Sequence, residues 1–257
     1  MILSKKHNFL YIGLYKTGTT SIHTALINLL NPKARRGANR RVVPIELHDD
    51  RDPDAVILHE TKAERHLDVR TVKEMYFLEE EQDIWDKLFI FSFVRHPLDL
   101  VYSHFKFEKK TTNNILEAIK NDDDKSKALK RMPKHRKKFI DLEFNDWVKQ
   151  YFDTFSLPPK DKNLVDQYAC LSNEDGELMV DNVYKFEDLQ GGIDDAFATI
   201  GLTPIILPVR NTTTDTGFER PKLDSSTITW KDVYTPETKA IVVERFKRDL
   251  EFFEYNF

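Results

Sequence analysis

The sequence contains a single cysteine, Cys170, so no intrachain disulfide can form and a reducing compartment suits the chain. No apolar run approaches the length of a membrane span. The N-terminal segment reads as a first strand rather than a signal peptide, and the expected location is cytoplasmic. Positive charge is not in excess: a formal net charge of −4 argues against a dedicated nucleic-acid binder. No internal repeat is present. What remains is 257 residues, 40% hydrophobic, 12% aromatic and 32% charged, which supports one sizeable core under a well-charged surface. A single α/β domain over residues 1–257 is expected, with a basic helical insertion at about 109–138.

The chain is organised around Tyr15, Lys16, Thr17, Gly18, Thr19, Thr20 and Ser21. The preceding residues 8–14 form a short aromatic and β-branched run that reads as a buried strand. After the loop, Ile22, Ala25, Leu26, Leu29 and Leu30 fall at helical spacing until Pro32 ends the pattern. A strand-to-helix loop of this kind aims the amide N–H groups of residues 18–21, and the positive end of the helix dipole, at whatever sits above it. Such a cradle favours phosphate or sulfate. Gly13 and Gly18 stand where a Walker A loop has its two glycines, but the lysine is Lys16, inside the loop, rather than the residue after the second glycine. An ordinary Ser/Thr-capped connection is the plainer reading of the same residues.

Residues 33–41 hold five cations in nine positions, a basic loop that serves either an anionic acceptor or plain solvation. Residues 55–58 form a short apolar strand that delivers His59 and Glu60 to its carboxyl end, the edge where open α/β sheets bind ligands. Residues 68–76 and 79–81 look helical and exposed. Residues 88–94 are almost continuously apolar, as a central parallel strand covered on both faces should be, and they lead into Arg95. Pro97 suits the first position of a helix expected over 98–107, on which Ser103 lies eight residues beyond Arg95. An arginine at a strand end and a hydroxyl on the next helix can converge on one anion, or the arginine can pair with a carboxylate.

Residues 125–138 are densely basic, and contact with an acidic substrate and solvated surface are equally open readings. A wide aromatic stripe over 139–155 reads as a core helix, 177–186 as a strand, and 189–200 as a helix ending near Gly201. Residues 207–231 lack a period and carry Asn211, Arg220 and Lys222, as a loop that folds over a ligand would. Thr235 and Pro236 cap a terminal helix marked by Ile241, Val242, Phe246, Leu250 and Phe253.

Taken together, the Lys16–Ser21 loop and the pair Arg95 and Ser103 resemble sulfotransferases that use 3′-phosphoadenosine 5′-phosphosulfate (PAPS), most closely the carbohydrate-type branch. The pattern at the second site is Phe93, Val94, Arg95, His96, Pro97 and then Ser103; further similarity lies in Trp85-Asp86, in residues 184–189, in 234–238 and in 253–255. The resemblance implies an α/β, P-loop-like three-layer fold with a central parallel sheet flanked by helices. It implies that Lys16 contacts the 5′-phosphosulfate, that Thr17, Gly18, Thr19, Thr20 and Ser21 cradle its phosphate, and that Arg95 and Ser103 take the 3′-phosphate. His59 occupies the place of the general base, with Glu60 as the nearest substitute. The ligand loop would add Arg220 and Lys222. Two positions depart from the pattern: Leu100 stands where many relatives carry a second arginine, and Lys185 where an arginine is common.

Sulfuryl transfer is an in-line displacement in which charge grows on the leaving phosphate oxygen, so positioning and electrostatics are most of the task. Lys16 would neutralise that charge, a neutral His59 would accept the acceptor hydroxyl's proton, and no metal is needed. The expected partners are a nucleotide co-substrate and a hydroxyl acceptor, carbohydrate or glycan-like, for which the basic stretches leave an anionic acceptor open. A P-loop-like kinase or NTPase is the competing enzyme class, opposed by the displaced lysine and by a strand that ends in Arg95 rather than a magnesium-binding aspartate. A non-catalytic PAPS-binding protein is the third.

Overall fold

The computed structural model describes residues 1–30, 56–58, 66–120, 132, 134–137, 139–152, 166–207 and 229–256. Among these, five strands form one sheet in the order β3-β1-β2-β4-β5: β1 (Ile2–Ser4), β2 (Phe9–Ile12), β3 (Val56–Leu58), β4 (Phe89–Val94) and β5 (Asn182–Lys185). Strands β2, β4 and β5 run parallel, as expected of the centre. Strand β1 is antiparallel to both β2 and β3, so the sheet is mixed. The cause is local: the polar stretch from Lys5 to Asn8 turns the chain back, with Asn8 at a left-handed φ of 50° and its N–H donating to Lys5 O at 3.4 Å.

The helices are α1 (Thr19–Leu30), α2 (Val69–Tyr76), α3 (Gln82–Trp85), α4 (Pro97–Lys120), α5 (Lys134–Lys137), α6 (Phe144–Tyr151), α7 (Gln167–Leu171), α8 (Leu189–Thr199), α9 (Trp230–Val233), α10 (Pro236–Arg245) and α11 (Lys247–Phe252). None of them is long and apolar enough to cross a membrane. The chain divides into two compact units, the first from Met1–His96, Ser156–Arg210 and Arg248–Phe257, the second from Pro97–Phe155 and Asn211–Lys247.

In the first unit the pleat sends Phe9, Tyr11, Phe91 and Phe93 to one face, where they pack with Ile22 and Leu26 of α1 and with Ile193, Ala196 and Phe197 of α8. The alternate residues Leu10, Ile12, Ile90, Ser92 and Val94 are buried as well. Burial on both faces is why β4 reads as an almost unbroken apolar run. Each such aromatic or aliphatic side chain contributes about 1.5–3 kcal/mol on leaving water. The one polar member, Ser92, is satisfied by donating from Oγ to Ile12 O at 2.8 Å. Helix α8 reaches the sheet at Gly192, where a Cβ would lie 2.7 Å from the Phe93 ring and 2.8 Å from Tyr184 Cβ.

The second unit is built on α4, α6 and α10. Its interior is aromatic: Phe105 stands 5.4 Å from Phe144 and 5.7 Å from Trp147, and Phe144 meets Tyr234 edge-on at 4.8 Å. Thr235 caps α10 with its hydroxyl accepting from Thr238 N, and Pro236 opens the helix, as expected. Helix α4 runs well past the expected end at 107, because Phe105, Glu108 and Thr112 continue its buried stripe. The expected insertion therefore begins as a continuation of α4, and residues 121–131 lie outside the described ones. The strand expected over 177–186 is confined to Asn182–Lys185, since Gly176 at φ 82° and the Ser172–Leu178 bridge turn the preceding residues. The helix expected over 139–155 is shortened at its start, where Asp141 takes a φ of 58°.

Candidate functional site

The site grows from the turn between β2 and α1. Two residues there are left-handed: Lys16 at φ 63° and Gly18 at φ 77°. Glycine is required at position 18 on two counts, since a Cβ would also lie 2.9 Å from Leu189 Cδ2 and 3.3 Å from the Phe186 ring. The hydroxyls of Thr17 and Thr19 point inward and both donate to Leu14 O, at 3.0 and 2.6 Å. They fold the loop. What they present outward is backbone: among the described residues, the amide N–H groups of Thr17, Gly18 and Thr19 donate to no protein acceptor. The N–H of Ser21, expected among those donors, instead closes the first turn on Gly18 O at 2.9 Å. Amides at the positive end of a twelve-residue helix, held by inward hydroxyls, form a concavity suited to an anion.

Arg95 comes to the same loop from the carboxyl end of β4. Its Nη1 donates to Lys16 O at 2.9 Å, and its guanidinium lies 4.1 Å over the Phe186 ring. Its backbone is gripped by one side chain: Arg95 N donates to Gln167 Oε1 at 2.8 Å, and Gln167 Nε2 donates to Arg95 O at 2.9 Å. His96 N donates to Glu187 Oε1 at 2.8 Å, and Glu187 Oε2 accepts from the Tyr255 hydroxyl at 3.0 Å. Burial, and then the Glu187 carboxylate, pushes the Tyr255 phenol well up, which keeps it a donor. Lys185, at the departure from the family pattern, donates to Glu254 O at 3.2 Å and lies over the Tyr255 ring. It faces the C-terminal stretch.

The structure thus brings Lys16, Thr17, Gly18, Thr19, Thr20, Ser21 and Arg95 together in the first unit. Ser103 is buried on α4 of the second unit, as is Leu100, the other departure. His59, Glu60, Arg220, Lys222, the basic loop 33–41 and, of the basic stretch 125–138, residues 125–131, 133 and 138 fall outside the described residues. One neighbour of the loop was not a sequence candidate. His66 approaches Gly13 O at 2.8 Å through Nδ1 and meets Tyr15 edge-on at 5.4 Å. A carbonyl only accepts, so Nδ1 carries a proton. Gln167, Asp249 and Tyr255 were missed for the same reason: each acts on a partner distant in the chain, and no local pattern marks such pairs.

With this geometry in place, the comparison with known proteins is decisive for class. The profile of the sulfotransferase family, in its second branch, matches residues 1–256. The chain belongs to the sulfotransferase family. No characterised protein and no solved structure gives a significant match. This sulfotransferase has a mixed sheet flanked by helices, and the concavity of amides lies at the strand-to-helix turn that precedes α1. Among its described residues, no group of three or more histidine, cysteine, aspartate or glutamate side chains is placed to hold a metal ion.

Proposed function

We propose that this sulfotransferase takes its sulfuryl group from PAPS and passes it to a hydroxyl of a carbohydrate or glycan-like acceptor by in-line displacement, within a P-loop-like domain. The observation that carries this reading is the hydrogen bond from Arg95 to Lys16 O, which ties a second cation to the loop of outward amides. The nucleotide supplies an activated sulfuryl group on a phosphate leaving group. The chain's part is to hold that group still and meet the growing charge. The amides of Thr17, Gly18 and Thr19, with Thr20 and Ser21 beside them, would hold the 5′-phosphate, and Lys16 would neutralise charge on the bridging oxygen. Arg95 and Ser103 would take the 3′-phosphate, with Arg220 and Lys222 closing over it. His59, or Glu60, would remove the acceptor's proton. We place the enzyme in the cytoplasm, acting on a small or anionic glycan-like acceptor.

The test is calorimetric titration with 3′-phosphoadenosine 5′-phosphate (PAP) in chelator, beside ATP with magnesium and beside Arg95→Ala. Metal-free PAP binding that needs Arg95 supports the reading. A preference for ATP with magnesium sinks it in favour of a kinase or NTPase. PAP binding with transfer unaffected by His59→Ala points instead to a different base.

A further inference from the structure

Arg95 is the last residue before the chain leaves the sheet's edge, and a residue there has lost its regular strand neighbours. Its amide and carbonyl need other partners. Gln167 provides both with one carboxamide, at 2.8 and 2.9 Å, as a neighbouring strand would. The carboxamide is itself fastened: Asp249 Oδ2 accepts from both Gln167 N and Gln167 Nε2 at 3.0 Å, while Oδ1 accepts from Tyr168 N at 2.8 Å. Gln167 is 1% exposed and Asp249 0%, so nothing in water competes for these bonds. The neighbouring Asp166 is neutralised by Arg248, whose Nε and Nη2 reach its two oxygens at 3.0 and 2.8 Å. Segments far apart in sequence are therefore chained to one arginine backbone, Asp249 through Gln167 and Gln167 to Arg95.

We propose that Gln167, oriented by Asp249, is the positioning residue for Arg95: it fixes the strand end from which the guanidinium reaches Lys16 O and the nucleotide's phosphate. This inference rests on the reading of Arg95 as a phosphate-binding residue. The amide matters because it both accepts and donates. A methionine of similar length fills the space but leaves the Arg95 N–H and C=O unpaired, whereas an acid at this position accepts only, unless it is protonated.

The experiment titrates PAP into the full chain and into Arg95→Ala, Gln167→Met and Gln167→Glu at pH 6 and pH 8, with thermal unfolding of each. The expected result is that Arg95→Ala loses binding and Gln167→Met binds about tenfold more weakly, the scale of a lost buried hydrogen bond. Gln167→Glu, placed beside Asp249, takes up a proton at low pH and regains one O–H donor for Arg95 O. Its deficit relative to wild type should therefore shrink at pH 6. Taking that ratio cancels the titration of the ligand's own phosphates. If Arg95→Ala binds PAP normally, the reading of Arg95 fails and the inference with it. If Arg95→Ala loses binding while Gln167→Met keeps wild-type affinity, only the inference is overturned. A Gln167→Glu deficit equal at both pH values also overturns it, and this arm decides the matter should Gln167→Met not fold.

Discussion

The guanidinium of Arg95 donates to the carbonyl oxygen of Lys16 at 2.9 Å, and Lys16 is the one non-glycine residue of the cradle at positive φ, 63°. A left-handed lysine costs about 1 kcal/mol relative to an ordinary backbone conformation. A charge-assisted hydrogen bond to its own carbonyl offsets that cost. The two cations of the site are thus coupled through backbone: the arginine holds the lysine in a conformation the lysine would not choose.

Lys16→Gly separates the two roles. Glycine takes a φ of 63° without strain, so the urea midpoint should change by no more than the equivalent of about 1 kcal/mol. Sulfuryl transfer should fall about a hundredfold or more, the scale of removing one charge-stabilising group from a transition state. A large loss of stability with transfer intact would contradict this account.

Gly18→Ala should do the opposite. The added Cβ meets Leu189 at 2.9 Å and the Phe186 ring at 3.3 Å, in a backbone at φ 77°. Strain and collision together predict a loss of about 2 kcal/mol or more in stability, and weakened PAP binding through the displaced Phe186 under Arg95. Chemical denaturation alongside PAP titration reads both.

Asp249 predicts an unusual pH dependence. Burial first, and the Asp166 carboxylate second, push its folded pKa from 3.8 up to about 7. Its contribution is then fully present below the unfolded value and lost as pH rises through about 7, because the native state holds a proton that the unfolded state has released. The folded protein should lose about 1–4 kcal/mol of stability between pH 4 and pH 7.5 from this group. In Asp249→Asn that slope should disappear, whatever the variant's absolute stability. A wild-type stability that rises steadily across the same range, unchanged by the substitution, would refute the assignment.

In the second unit, Arg136 Nη1 reaches Glu108 Oε2 at 2.8 Å, with side-chain exposures of 18% and 11%. Removing only the cation, as in Arg136→Ala, strands a largely buried carboxylate and should cost about 3 kcal/mol. Arg136→Met with Glu108→Gln removes both charges and should recover most of it. A double-mutant cycle of Arg136→Met, Glu108→Gln and the pair, read on the denaturant midpoints, reports the coupling.

Much of this was legible locally. The loop, its strand and its helix are marked by Gly18, by the apolar run before it and by the helical spacing after it, all within a few residues of one another. Thr235 and Pro236 announce α10, and Arg95 follows an unmistakable buried strand. Other features are not local. That β1 folds back on β2 depends on a short polar turn, too brief to stand out beside the aromatic run that follows. The inward turn of the Thr17 and Thr19 hydroxyls, which brace the loop, depends on where Leu14 O lands, and no local pattern marks it. Gln167 and Asp249 sit in stretches with no motif, and only the tertiary fold brings them to Arg95.

The first unit is assembled from three separate stretches of chain, with the second unit's sequence running between them. Strand β4, with Phe89, Ile90, Phe91, Phe93 and Val94, is synthesised long before β5, which later covers one of its edges. Until then that edge of an uncharged apolar strand is unpaired, the kind of edge that associates with other chains. Yield during expression should therefore be governed by how long that edge waits, with slower synthesis at lower temperature or a holding chaperone favouring soluble protein over aggregate.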